Sequence, residues 1–291
     1  MAIKIDAYCY ECLLRRHVTT ARSLGTEEQA NEFARRMLRA CLDAPEGTPS
    51  PAIGTVVADL LLEMYGLPLD RFREEKIASN KFVMERLEDI RRAVTGAEDP
   101  VYAGLQMAIL GNYLDYGALQ GQVSFEKLED MLRSALEMEL DEKVYGQLCR
   151  DLEKGKKLLY LTDNAGEIGF DRVLAEVIRE KYPHLEILFC VRGDIAGNDA
   201  TREDAAAVGL PFPVIDNGDR TAGTLIPKLG QEAKQALREA DVIIAKGMAN
   251  TETMLGCGYN VYYAFLVKCP RFVSIFQRPM LTPVLTSERS R

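Results

Sequence analysis

The chain has 291 residues, 47% of them hydrophobic, and a formal net charge of -8, enough apolar material to bury a sizeable core in one large domain or two ordinary ones. An acidic balance with a pI near 5.1 argues against nucleic acid as a partner, because phosphate contacts need clustered Lys and Arg. No apolar run is long enough for a bilayer, the first residues lack the regions of a signal peptide, and seven scattered cysteines form no disulfide framework, so a cytoplasmic protein with no membrane partner is expected.

From Ile5 to about Lys154, apolar residues recur three and four apart, in "CLLRRHVTTARSL", "EEQANEFARRMLRACLD", "IGTVVADLLLEMYG", "RFREEKIASNKFVMERLEDIRRAV" and "AGLQMAILGNYLDYG". That period predicts helices throughout, broken by the Pro, Gly and Asp of "DAPEGTPSPA", "GLPLD" and "TGAEDP". From Lys156 the pattern changes to short aliphatic runs, "KLLYLT", "LEILFCV", "PFPVI", "DVIIAK" and "VYYAFLV". Between them stand the helical segments "EIGFDRVLAEVIREK", "ATREDAAAVG", "TLIPKLGQEAKQALREA" and "TETMLGCG". Strand alternating with helix predicts an α/β fold, a mainly parallel open sheet with helices on both faces. The expected division is an all-helical domain or cap over residues 1–154 and an α/β domain over 155–291. No flexible Gly/Ser tract separates them, so close packing is expected.

Ligands of open parallel sheets bind beyond the carboxyl ends of the strands. Polar residues gather there: Asp163, Asn164 and Glu167 after the first strand, Asn198 and Asp199 after the second, Lys246, Gly247, Asn250 and Glu252 after the fourth, and Lys268 after the fifth. Asp163, Asn164 and Asp199 offer hard oxygen donors, suited to Mg²⁺ or Mn²⁺ more than to a thiolate-loving metal. Three protein ligands leave room for a phosphate oxygen and a water. Lys246, Lys268 and backbone amides near Gly166 and Asn250 would then balance phosphate charge. Each residue alone has a blander reading. Asp163 with Asn164 is a common turn, Asp199 a helix cap, and either lysine a solvated strand end. Their coincidence on one predicted sheet edge favours a site for a phosphate ester and a divalent cation.

In order, "DNAGEIGFD", "GNDAT" and "KGMANTE" resemble the motifs of the damage-control phosphatases, formerly the domain-of-unknown-function 89 family, and "CYECLLRR" resembles its prokaryotic CxxC branch. The resemblance covers essentially the whole chain, and its combination of motifs is specific where each motif alone is weak. It implies a metal-dependent phosphatase acting on small phosphate monoesters, sugar phosphates and damaged metabolites included, with a divalent cation such as Mn, Co, Ni or Mg. It places the metal ligands at Asp163, Asn164 and Asp199, and a phosphate-side Lys-Gly-Asn set at Lys246, Gly247 and Asn250. The eukaryotic Arg-Thr-x-Lys motif is reduced here to the Lys268 of "LVKC". Glu167 and Glu252 are candidate bases or supports behind the metal ligands. Either a water or Asp163 itself would attack phosphorus.

Cys9 and Cys12 have the spacing of a zinc half-site or redox pair, a second candidate site, although no second CxxC exists and buried helical cysteines are commonly small hydrophobes. His17 and His184 read as incidental. "REEKIASNKFVMERLEDIRR" reads as an exposed helix with one buried face, in which Asn80 and Lys81 could line a pocket facing the sheet. Two other functions compete. An S-adenosylmethionine-dependent carboxyl methyltransferase also carries an acidic loop after its first strand, but "DNAGEIG" fits its Gly-rich turn poorly. A non-catalytic phosphometabolite-binding protein would share the anion site without turnover.

Overall fold

A computed structural model describes residues 3–119 and 122–290. Eight helices come first: α1 (Ala7–Leu24), α2 (Glu27–Asp43), α3 (Ser50–Tyr65), α4 (Arg73–Met84), α5 (Leu87–Thr95), α6 (Pro100–Gly111), α7 (Phe125–Arg133) and α8 (Glu142–Lys154). Side-chain oxygens of Asp6, Thr26, Asp99, Ser124 and Asp141 accept from the free N–H groups at the starts of α1, α2, α6, α7 and α8, the usual role of these residue types. The charge-rich segment expected as one helix divides into α4 and α5. There the Arg86 guanidinium donates to the Phe82 carbonyl at 3.1 Å, and the Arg86 N–H tightens onto Val83 instead.

The second half runs β1 (Lys157–Leu161), α9 (Glu167–Lys181), β2 (Glu186–Val191), α10 (Arg202–Ala207), β3 (Val214–Asp216), α11 (Gln231–Glu239), β4 (Val242–Lys246), α12 (Gly247–Met254), β5 (Val261–Leu266), α13 (Pro270–Phe276) and β6 (Pro283–Ser287). The sheet order is β3-β2-β1-β4-β5-β6; all pairings are parallel except β5 with β6. The α/β expectation therefore holds, with β6 as an antiparallel edge the sequence reading did not contain. Two helix boundaries also differ from expectation. Pro227 and Gly230 confine α11 to its second part, and α12 begins at Gly247, so Asn250 lies within a helix rather than in a loop.

Successive strand residues face opposite cores. Leu158, Tyr160, Val242, Ile244, Tyr262 and Ala264 face one; Leu159, Leu161, Ile243, Ala245, Tyr263 and Phe265 face the other. Burial on both faces explains why these strands read as continuous apolar runs. The first core also contains Phe82, Ile90, Leu105, Ile109, Leu128 and Leu148, from α4 to α8. The apolar interior therefore runs unbroken past residue 154, while α1 to α3 enclose a smaller cluster around Phe33, Met37, Val57 and Leu61. Among the described residues no helix is long and apolar enough to cross a membrane.

Candidate active site

The chain leaves β1 toward β2 and β3, then returns to place β4 on the other side of β1. Loops diverge at that switch point and leave a crevice beyond the strand ends. Asp163 and Asn164 stand there. Two backbone bonds tie their loop to the next one: Ala165 N–H to the Asn198 carbonyl at 2.9 Å, and Ala200 N–H to the Asp163 carbonyl at 2.7 Å. That short antiparallel bridge sets Asn164 beside Asp199. Neither motif alone encodes this meeting.

Each side chain is then oriented. Asp163 Oδ2 accepts from Asn112 Nδ2 at 2.9 Å and from Asn164 Nδ2 at 2.8 Å. Asn164 Oδ1 accepts from Asn198 Nδ2 at 2.9 Å. Asp199 Oδ2 accepts from Arg192 Nε at 2.6 Å. The Oδ1 atoms of Asp163 and Asp199 have no hydrogen-bond partner among the described residues. All three side chains are less than 10% exposed. Burial, then the charges of Glu167 and Asp199, pushes the Asp163 carboxyl well above the usual range. Burial raises Asp199 as well, against the pull of Arg192.

Gly247 lets the Asp163 carboxylate lie against the start of α12. A Cβ there would stand 2.0 Å from Asp163 Oδ2, and the backbone adopts φ +81°, which suits glycine. Gly166, at φ +76°, plays a similar part before α9, where a Cβ would stand 2.7 Å from Leu114 and Ser79.

The remaining residues expected in the site separate. Lys268 Nζ donates to the Asn112 carbonyl at 2.7 Å and to Asp115 Oδ2 at 2.6 Å, leaving one of its three N–H groups without a protein acceptor among the described residues. Lys246 is corrected from phosphate binder to internal clamp. It is fully buried, and its three N–H groups go to the Ala108 carbonyl, Glu167 Oε1 and Asp171 Oδ1 at 2.7, 2.8 and 2.7 Å. Asn250 is likewise internal: it donates to the Thr162 and Lys246 carbonyls and accepts from Thr224 and Arg192. Asn198 also orients the loop rather than facing a ligand, donating to Leu114 O and accepting from Gly117 N–H.

Both oxygens of Glu167 are engaged, by Asn112, Lys246 and the Asn164 amide groups, which fits a support and not a base. Glu252 belongs elsewhere: the charges acting on it are Arg271 and Asp6, and burial pushes its carboxyl up to about 7. Nor do the expected helix-start amides stay open, since Gly166 N–H donates to Asn80 Oδ1 at 2.7 Å. Asn80 is thus buried against the sheet's loops, engaged by Asp204 and Gly166 rather than lining a pocket, and Lys81 is exposed and faces Glu85. At the second candidate site Arg271 Nη1 lies 2.8 Å from the Cys9 sulfur, a cation where a metal would have to sit. Cys12 is half-buried and free.

Sequence reasoning left out Asn112, Asp115, Asp171 and Arg192. Asn112 and Asp115 follow α6 in "GNYLDYG", and the helical pattern of that segment concealed them. Asp171 stands four residues after Glu167 on the same helix face, and Arg192 directly follows β2. Burial pushes Asp171 up to about 7 against the pull of Lys246. Asp115, Asp163, Glu167, Asp171 and Asp199 thus face Arg192, Lys246 and Lys268 in a mostly buried cluster, five carboxylates against three directly placed cations, with the charges of Arg16 and Lys76 acting on Asp115 and Asp199 from outside it. Among the described residues no three His, Cys, Asp or Glu side chains form a ready metal cluster, so any cation set here needs the Asn164 amide. Two unpartnered carboxylate oxygens, an amide oxygen and surplus negative charge fit a hard dication. A cavity of about 310 Å³ adjoins the Asp199 loop; its lining mixes Lys76, Arg192 and Arg202 with Asp194, Asp204 and Asp216 and includes none of the three expected cation ligands.

The fold and site define an open α/β protein whose polar centre lies at the sheet's switch point, under a helical layer. Residues 5–280 match the damage-control phosphatase ARMT1-like domain, and the chain belongs to that family. It is 31% identical to a protein named damage-control phosphatase from Archaeoglobus fulgidus, covering 87% of this chain and 88% of that one. It is equally similar to a damage-control phosphatase of Pyrococcus horikoshii, over 90% and 91% of the two chains, and to an uncharacterized protein of Methanocaldococcus jannaschii, over 92% and 90%. The crystal structure of a DUF89 family protein from Pyrococcus horikoshii superposes with a TM-score of 0.82 at 25% identity, covering 98% of this chain and 99% of that one.

Proposed function

We propose that this protein is a divalent-cation-dependent phosphatase that hydrolyses small phosphate monoesters, with Asp163, Asn164 and Asp199 holding the cation. The observation that carries the reading is the surplus of buried carboxylates around two unpartnered carboxylate oxygens at the sheet's switch point. Removing two negative charges from water without a counter-charge is costly, and a dication supplies that counter-charge. The relatives' names support the hydrolase class. The cation is a divalent ion that oxygen donors hold, Mg, Mn, Co or Ni, and the substrate is a phosphate ester of metabolite size.

When bound, a divalent cation polarises a phosphoryl oxygen and eases deprotonation of a water. The chain's own groups do the rest. Asn112 and Asn164 fix the Asp163 carboxylate, and Arg192 fixes that of Asp199, so the ligand oxygens are oriented before substrate arrives. Lys268 is held by Asp115 and the Asn112 carbonyl with one N–H left for a phosphoryl oxygen, where charge builds during transfer. Lys246 and Glu167 keep α9 and β4 in register beneath the site.

A phosphate-release screen over a metabolite panel, run with Mg²⁺, Mn²⁺, Co²⁺ and Ni²⁺ and with chelator, tests this. Release is expected only with added cation, and Asp163→Ala should abolish it while the fold survives. Release in chelator, or undiminished release by Asp163→Ala, contradicts the proposal.

A further inference from the structure

A second cavity, of about 860 Å³, opens where α5 ends, α6 begins and α9 ends. Val177, Glu180 and Lys181 line it from the end of α9, whereas Glu167, at the start of the same 15-residue helix, belongs to the candidate active site. At the rise of an α-helix the two places stand about 20 Å apart. Gln106, which also lines the cavity, is the one amide side chain of α6, a helix buried throughout from Ala103 to Gly111. It is only 3% exposed, and its Nε2 donates to the Leu136 and Met138 carbonyls at 3.0 and 2.6 Å. Two carbonyl acceptors fix the orientation of the amide, because only its NH₂ end can donate. Oε1 is thereby turned away from both. No described residue donates to it, and it is not sealed from solvent, so it stands on the cavity floor as an acceptor open to a donor from outside.

The charges around that oxygen specify the donor. Glu98, Asp99 and Glu180 line the cavity against a single cation, Lys181. Asp99 is committed: its carboxylate accepts from the Val101 and Tyr102 N–H groups, from the Tyr145 hydroxyl and, at 3.4 Å, from Lys181 Nζ. Glu98 and Glu180 are exposed at the rim and form no ion pair among the described residues. The helix ends act in the same sense. Thr95 and Lys181, the last residues of α5 and α9, both line the cavity, and the C-terminal end of a helix favours a cation. The opposite pole, at the start of α6, is already met by Asp99. Much of the remaining lining is apolar, with Pro100, Val101, Leu136 and Val177.

We propose that this cavity is a binding site for an aliphatic diamine or longer polyamine, with one ammonium group donating to Gln106 Oε1 and a second held at the rim by Glu98 and Glu180. The hydrocarbon between them lies against the apolar wall, where burial favours it. An anion would meet unpaired carboxylates, and an inorganic cation would leave the apolar wall unused. The site is separate from the carboxylates around Asp163, and the inference does not rest on the phosphatase reading.

Calorimetric titration of 1,5-diaminopentane and 1,5-pentanediol into the full-length chain tests this, since the two probes share a hydrocarbon and differ in charge. Physiological salt screens unspecific attraction to an acidic surface. One diamine per chain is expected, bound about tenfold or more tightly than the diol. Glu98→Gln with Glu180→Gln should weaken the diamine about tenfold and leave the diol unchanged. Gln106→Met should weaken both probes; should that variant melt early, the double variant, altered only at exposed side chains, decides. Asp163→Asn should leave diamine binding unchanged. No binding by the wild type, equal affinity for the two probes, undiminished diamine binding by the double variant, or its loss in Asp163→Asn overturns the proposal. Binding is read without turnover or added metal, so its failure is distinct from failure of the phosphatase reading, which the cation-dependent release screen reports.

Discussion

The carboxyl ends of β4 and β5 look alike in sequence, a buried apolar run followed by a lysine, yet the two lysines have opposite situations. Lys246 lies under the site with all three N–H groups committed to Ala108, Glu167 and Asp171. Lys268 commits two and keeps one. The difference comes from the helical layer. Ala108, in α6, caps Lys246 from above, whereas Asn112 and Asp115, just past the end of α6, take up only two of the Lys268 N–H groups. Strand ends thus locate the site, and the packing of the first half decides which residue faces a ligand.

The largest effect expected is from Lys246→Met, which strands Glu167 and Asp171 in a dry interior. Breaking a buried pair in this way costs about 3–5 kcal/mol, so chemical denaturation should show a large loss of stability. Lys268→Met should lose much less stability, because Asp115 is partly exposed and regains water, but should lower kcat/KM for phosphate release about 100-fold. Equal stability losses, or the larger activity loss in a still-folded Lys246→Met, would break the contrast.

How legible the site was follows the same division. The parallel sheet and the corner at Asp163 were readable because doubly buried strands leave long apolar runs and because ligands collect at their carboxyl ends. The pairing of Asn164 with Asp199 follows the strand-end rule only once the bridge between their loops is seen. Lys246 and Asn250 were misread because strand position says nothing about what packs above, and α12 starts earlier than its polar residues suggest. Asn112 and Asp115 were hidden because two polar residues at the end of an apolar helix look like an ordinary helix terminus. β6 was missed because "PVLTS" follows a Pro-rich turn and is short.

Asn112→Ala sharpens the contrast further, since its side chain orients Asp163 and accepts from Leu266 N–H at 3.1 Å, while the backbone carbonyl that anchors Lys268 is retained. Cation affinity should fall about 10- to 100-fold, measured by calorimetry on a variant whose melting confirms the fold; unchanged affinity would remove Asn112 from the account. Gly247→Ala should cost about 1–2 kcal/mol through its left-handed backbone alone, more where the new Cβ displaces Asp163. Thermal melting with and without cation separates the two contributions.

At neutral pH the smallest expected effect lies at His17, whose pKa burial holds at about 3, so that its contribution appears only in acid. The unfolded chain binds that proton near pH 6.5 and the folded chain does not, so stability is lost as pH falls from about 6.5 toward 3. His17→Gln should flatten that part of the stability curve, and an unchanged acid limb would place the titration elsewhere.

Titration of Mn²⁺ into chelator-stripped protein, by calorimetry with parallel thermal melts, tests most directly whether the buried carboxylate surplus serves a dication. One site per chain is expected, with a higher melting temperature on binding, and with both effects lost in Asp163→Asn and in Asp199→Asn. Absence of binding by the wild type, or binding of equal strength in those two variants, would contradict the account.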